Sequence, residues 1–143
     1  MKARLVLSAL AVLLLVPAVV RAGEMKPAAG VPQILVSKAD ALYACVAFHQ
    51  THANSGGIGL TDRDRKVLLL DKLASDALLR KAGMPAQQID ARGQSALAAV
   101  MASYDTTDEA ARSRRDADCI AMLERVYAAA LPNLPEAQRT AFR

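Results

Sequence analysis

The spacing of apolar residues constrains this chain more than any other feature of its sequence. Apolar side chains recur every three or four positions along four successive stretches, which is the period of one face of an α-helix. No stretch of useful length alternates with the two-residue period of a β-strand. The pattern predicts an all-α fold whose helices cover residues 37–53, 62–82, 85–104 and 107–131. A short fifth helix is predicted from Pro135 to Phe142.

Glycines and prolines separate these stretches. Residues 54–59 contain three glycines, Gly83 precedes Pro85, and Pro132 and Pro135 follow the fourth stretch. Glycine allows positive φ angles and proline cannot continue a helix, so each cluster marks a connection. Short connections favour antiparallel neighbours. We therefore expect a small antiparallel bundle of four main helices, formed by a single domain over residues 37–143.

Capping signals support the predicted starts of three helices. In each signal a hydroxyl residue precedes a carboxylate by three positions, so that the two residues can satisfy free backbone N–H groups. The pairs are Ser37 with Asp40, Thr61 with Asp64, and Thr106 with Glu109.

Two leucines of the second predicted helix lie away from its main apolar stripe. Leu68 and Leu79 lie roughly opposite the main stripe of the second helix, which runs through Val67, Leu70, Ala74, Ala77 and Leu78. They predict either a second covered face or contact with a partner, including a second copy of the chain.

Gly93 weakens the third helix by about 1 kcal/mol relative to Ala, which predicts close approach of a neighbouring helix.

Residues 1–22 have the composition of a secretory signal peptide. Lys2 and Arg4 precede an apolar run from residue 5 to residue 20, and the small residue Ala22 offers a cleavage site. A membrane anchor is the alternative, but spanning helices usually need about 20 apolar residues, and Pro17 interrupts the run. We expect cleavage after Ala22 and export to the periplasm or beyond, with no stable membrane span after removal of the leader. Residues 23–36 are predicted to be an N-terminal arm or linker.

The expected export of the chain bears on the state of its two cysteines. Cys45 and Cys119 are 74 positions apart, and in an exported chain such a pair is typical of a structural disulfide. Closing a loop of this length stabilises a fold by about 4 kcal/mol in the chain-entropy model. We predict a disulfide between the middle of the first helix and the middle of the fourth.

Removal of the leader also changes the charge. The full chain has 18 basic and 14 acidic residues, and the leader contains Lys2, Arg4 and Arg21 but no acidic residue, so the mature chain carries a net charge of +1. A nucleic-acid-binding protein usually combines a concentrated basic surface with stacking aromatics. This chain has no Trp and only 3% aromatic residues, so nucleic acid is not an expected partner.

The predicted disulfide places chemistry-bearing residues at one end of the bundle. If the first and fourth helices are antiparallel, residues after Cys45 face residues before Cys119. His49 then lies near Arg115 or Asp116, and His52 lies near Arg112. The glycine-rich loop and the N-termini of the second and fourth helices are expected at the same end.

Three interpretations of this candidate binding site remain open. In the first, His49, Asp116 and an arginine form a structural polar network. In the second, Arg112 and Arg115 bind an anion or an acidic partner surface, because guanidinium groups suit carboxylates and phosphates. In the third, His49 and His52 bind a metal ion, to which Asp116 adds a ligand.

No catalytic motif accompanies these residues. The sequence lacks a recognisable nucleophile context and the Cys-x-x-Cys-His motif of c-type haem attachment, so we expect neither an enzyme nor a cofactor. The predicted function is a non-enzymatic binding protein, such as an inhibitor, an effector-neutralising protein or a chaperone. Its expected partner is another envelope or secreted protein. The alternative is a metal-binding or small-ligand-carrying domain that uses His49 and His52.

Overall fold

Helices dominate the part of the chain that the computed structural model describes, residues 30–143. The elements are α1 (Gln33–Ser55), α2 (Asp62–Lys81), α3 (Ala86–Tyr104), α4 (Glu109–Ala130), a short 3-10 helix (Leu131–Asn133) and α5 (Glu136–Phe142). No strand occurs within residues 30–143, and the prediction of an all-α fold with four main helices is confirmed. The predicted signal peptide and residues 23–29 of the predicted arm lie outside the described residues.

Helix α1 begins four residues earlier than predicted. Its N-cap is Pro32 and its first residue is Gln33, so residues 33–36 belong to the helix and not to the arm. Proline suits a helix start because the N–H that it lacks would have no helical acceptor there. Ser37 is therefore not a cap. Asp40 lies within α1, where both of its carboxylate oxygens accept hydrogen bonds from Arg92 of α3 at 2.9 and 2.7 Å.

The other two predicted caps have different outcomes. Thr61 and Asp64 form the expected capping box, with Asp64 N–H donating to Oγ1 of Thr61 at 3.1 Å and Thr61 N–H donating to Oδ2 of Asp64 at 2.8 Å. Thr106 does not cap α4. Its hydroxyl donates to the carbonyl of Ser103 at 2.9 Å, and the cap is Asp108, whose carboxylate accepts from the N–H of Ala111 at 2.8 Å.

The buried apolar residues form two clusters. The larger core cluster contains Cys45, Ala47, Phe48, Val67, Leu68, Leu70, Val100, Tyr104, Cys119, Leu123 and Tyr127. The smaller core cluster contains Val31, Val36, Ala39, Tyr43, Leu79, Met84 and Ile89. Helices α1, α2 and α3 contribute to both clusters, whereas α4 contributes only to the larger one. Helix α1 packs against each of the other three main helices and is the centre of the fold.

Leu68 and Leu79 are buried within the chain, so of the two predicted alternatives the structure has the second covered face and not contact with a partner. Leu68 belongs to the larger core cluster and Leu79 to the smaller one, while Leu78 of the predicted stripe is exposed. The buried residues of α2 also include three polar ones, Asp71, Ser75 and Asp76. A pattern that counts only apolar positions does not detect a buried face that contains them.

Cys45 and Cys119 form the predicted disulfide, with 5.0 Å between their Cα atoms. The bond lies in the larger core cluster and joins α1 to α4. Beyond it, α4 contacts the start of α2, where Arg63 donates to Glu124 at 2.8 Å and its guanidinium lies 4.3 Å from the ring centroid of Tyr127.

Among the described helices, none has both the length and the apolarity that crossing a membrane requires.

Gly93 does not mark a close helix approach, contrary to expectation. A Cβ atom built at this position would meet no atom within 4 Å. Helix α3 therefore carries a glycine in its interior that helix packing does not require.

Candidate functional site

The disulfide sets the register between α1 and α4 in the way the sequence predicted. His49 lies one helical turn after Cys45, and Asp116 lies almost one turn before Cys119. Nδ1 of His49 and Oδ1 of Asp116 are 2.8 Å apart and share a hydrogen bond. The predicted proximity of His49 to Asp116 is confirmed.

His49 also faces a carboxylate that the sequence analysis assigned only to capping. Its Nε2 atom is 3.8 Å from Oδ1 of Asp64, at the start of α2. Burial opposes ionisation of Asp64, but hydrogen bonds from Thr61 and the charge of His49 outweigh it, so the pKa of Asp64 is lowered. The His49 site, as we name His49 with Asp64 and Asp116, thus holds an imidazole between carboxylates from two helices. With only 9% of His49 exposed, the imidazole is largely shielded from solvent.

His52 belongs to a second group, the arginine–aromatic cluster, which consists of Phe48, His52, Tyr104, Arg112 and Arg115. Nδ1 of His52 shares a hydrogen bond of 2.7 Å with the hydroxyl of Tyr104. The rings of Phe48, His52 and Tyr104 lie within 5.7–6.1 Å of one another, measured between centroids. Tyr104 is the last residue of α3, so this cluster joins the end of α3 to the end of α1.

Arg112 contacts the same region, at the end of α3. Its Nη1 donates to the carbonyl of Thr107 at 2.7 Å and to that of Tyr104 at 3.3 Å, and its guanidinium lies 4.9 Å from the ring centroid of Tyr104. A cation at these carbonyls complements the negative end of the α3 dipole. The predicted neighbourhood of His52 and Arg112 is therefore present, with Tyr104 between them.

Arg115 is the most accessible member of the cluster. Arg115 is exposed, and its guanidinium lies 4.3 Å from the ring centroid of the buried Phe48. Within residues 30–143 it makes no ion pair, although ion pairs join several other arginines to carboxylates. The contact with the ring orients the guanidinium of this exposed residue.

All five predicted site residues thus meet at one end of the bundle, but in two adjacent groups. Sequence reasoning missed three contributors, namely Phe48, Asp64 and Tyr104. From the sequence, Asp64 is expected only in a cap, and neither Tyr104 nor Phe48 is expected in the site. An aromatic residue one position before His49, on the helix that carries both histidines, was the available signal for Phe48.

The arrangement offers a metal ion few ligands. His49 and His52 use their Nδ1 atoms for different partners, on α4 and α3 respectively. Across the described part of the chain, no group of three or more His, Cys, Asp or Glu side chains is placed to hold a metal ion. Both cysteines are in the disulfide. This end of the bundle presents guanidinium groups held against aromatic rings, beside the exposed carboxylates of Asp108 and Glu109 at the start of α4.

One buried carboxylate, in the middle of α2, was not anticipated. Asp71, on the buried face of α2, is fully buried, and neither of its carboxylate oxygens has a hydrogen-bond partner in the described structure. Burial, and to a lesser degree the negative charge of Glu124 on α4, raises the pKa of Asp71 to about 7. The side chain is therefore largely protonated in mildly acidic solution.

Comparison of the chain with protein-family models, with curated proteins and with solved structures found no match.

Proposed function

We propose that this chain is an exported, non-enzymatic binding protein that recognises an acidic surface of another envelope or secreted protein through its arginine–aromatic cluster. The observation that carries the proposal is Arg115, an exposed arginine whose guanidinium is held over Phe48 without a carboxylate partner in the described chain. A guanidinium oriented in this way loses less conformational freedom when it binds a carboxylate.

Arg112 adds a second positive charge next to Arg115. It already bonds to two carbonyls at the end of α3, so its charge is fixed one helical turn from Arg115. Arg114 lies on the same segment and is also exposed. Three arginines within four positions favour association with an acidic partner, and arginine forms bidentate hydrogen bonds with carboxylates.

The histidines have a positioning role in this proposal. His49 is held by Asp116 and lies close to Asp64, and His52 is held by Tyr104. These contacts link α1 to α2, α3 and α4, and they support the backbone on which the arginines stand. We assign recognition to the arginines and rigidity of the site to the histidines.

Export is supported by the disulfide. Disulfides persist in oxidising compartments such as the periplasm and are rare in the cytosol. The signal peptide predicted at residues 1–22 supplies the route in this proposal.

Capture of the partner tests the proposal. The full chain is expressed with its leader, purified from the envelope fraction, immobilised, and exposed to envelope extract at low and high salt. We expect a salt-sensitive partner that the wild type retains and that Arg115→Gln loses. Arg125→Gln is the matched control, because Arg125 is an exposed arginine on the same helix with no aromatic contact or ion pair in the described structure. Equal capture by the two variants, or no captured partner, would refute the proposal.

A further inference from the structure

A groove lies on the face of α1 that points away from α4. It has a volume of about 330 Å³, and α1, α2 and α3 contribute its walls. This volume falls within the range of small-molecule binding sites. The groove is separate from the His49 site and from the arginine–aromatic cluster, and shares no residue with either.

Apolar side chains form one part of the groove. Val46 and Ala47 of α1 form its floor, and Ile89 and Leu97 of α3 belong to its wall. Gly93 lies between those two residues, and a Cβ atom there would meet open space. The absence of a side chain at Gly93 therefore widens the groove. Gly93 weakens α3 and is not required for helix packing, but it does make room in the groove.

Most of the charge around the groove is already paired. The hydroxyl of Tyr43 donates to Oδ1 of Asp76 at 2.6 Å, and Lys72 donates to Oδ2 of the same carboxylate at 2.7 Å. Burial, then the hydrogen bond and the charge of Asp76, then the charges of Asp40 and Asp90, raise the pKa of Tyr43. The surroundings of this hydroxyl are thus negative, even with Lys72 close by.

Asp90 is the exception. It lines the groove from α3, is exposed, and makes no ion pair or hydrogen bond within the described residues. Two charged residues line the groove, Lys72 and Asp90. Lys72 is paired with Asp76, so the charge of Asp90 is the one without a described partner. Leu97 lies seven positions further along α3, or about 10 Å at the rise of an α-helix. The groove accordingly offers a carboxylate at Asp90 and an apolar side chain at Leu97, about 10 Å away along α3.

We propose that this groove binds a small amphiphilic amine, with the ammonium group at Asp90 and the aliphatic body extending over Gly93 to Leu97. The choice of an amine follows from charge complementarity, because a carboxylate ligand would meet Asp90 with like charge, and an alcohol could donate a hydrogen bond to Asp90 but would not neutralise its charge. This inference concerns a second site and does not depend on the proposed function.

Three probes of equal chain length test the chemistry. Binding of n-octylamine, n-octanol and octanoate to the full chain purified from the envelope is followed by the change in melting temperature and by amide chemical shifts in NMR spectra. We expect saturable binding of the amine, with the alcohol at least tenfold weaker and the carboxylate weaker still. Shifted amides should include those of Gly93 and Val46.

Two variants locate the site. Asp90→Asn should remove the preference for the amine over the alcohol, whereas Asp118→Asn, an exposed carboxylate on α4, should keep it. Gly93→Leu should block all binding by filling the groove, and circular dichroism checks that the variant is folded. Equal binding of the three probes, no binding, or amine binding that survives Gly93→Leu or keeps its preference in Asp90→Asn would overturn the proposal.

Discussion

Replacing the buried carboxylate of Asp71 by an amide should change how the stability of this protein depends on pH. Asp71 is 0% exposed and its oxygens have no hydrogen-bond partner among the described residues, so the native state disfavours the charged form. The pKa of Asp71 is raised to about 7, with burial as the main cause and the charge of Glu124 as the second. In the unfolded chain, an aspartate titrates near its ordinary pKa of about 3.9.

The sign and size of the effect follow from these two values. Between about pH 4 and pH 7 the native state keeps a proton on Asp71 that the unfolded state has released, so raising the pH lowers the free energy of unfolding. Above about pH 7 both states are ionised at this residue and its contribution becomes constant. A difference of about three pKa units corresponds to about 4 kcal/mol, taken as an upper figure because buried sites relax.

Urea titrations of the wild type and Asp71→Asn at a series of pH values from 4 to 8 measure this contribution. The asparagine has no titration, so the free energy of unfolding of the variant minus that of the wild type should rise by up to about 4 kcal/mol across the range. Any constant cost of burying the amide cancels in that rise. Contributions from all other groups are common to both proteins and also cancel.

Asp118→Asn is the control, since it makes the same carboxylate-to-amide change at an exposed position on α4. A difference between wild type and Asp71→Asn that stays constant from pH 4 to pH 8 would refute the reasoning. It would mean that Asp71 is ionised in the native state throughout this range.

Three further stability predictions follow from local features. Reduction of the Cys45–Cys119 disulfide should lower the free energy of unfolding by about 4 kcal/mol, measured by urea titration with and without reductant, and a loss below about 1 kcal/mol would contradict the loop-entropy argument. Thr61→Ala should cost about 1 kcal/mol in the same assay. Thr106→Ala should cost much less because Asp108 caps α4, and equal losses would show that this assignment is wrong. Gly93→Ala should raise the stability by about 1 kcal/mol, and a decrease would mean that the new methyl group meets packed atoms.

The candidate site was predictable in part because one covalent constraint set its register. Once Cys45 and Cys119 are joined, helical geometry places His49 beside Asp116, and the structure has this contact. The contacts of Tyr104 and Phe48 were not predictable in the same way. They depend on how far α3 and α4 are rotated about their axes, and no local pattern encodes that rotation.

Helix α2 shows the same limit in the core. Its length, its start at Asp62 after Thr61 and its capping box depend on residues next to one another, and they agree with the sequence prediction. Its buried face does not agree. Leu79 is buried whereas Leu78 is exposed, and Asp71 is buried among apolar neighbours. Adjacent helical residues point about 100° apart, so a small rotation decides which of two leucines meets the core.

Local interactions in the sequence therefore determined that the chain forms four main helices and where two of its loops fall. These properties follow from helical period, capping and loop composition, which act over a few residues. Tertiary packing decided the surroundings that no sequence pattern indicated: the rings beneath Arg112 and Arg115, the isolation of Asp71, and the open space at Gly93. Such contacts join residues distant in the sequence, and their geometry depends on the packing of all four helices at once.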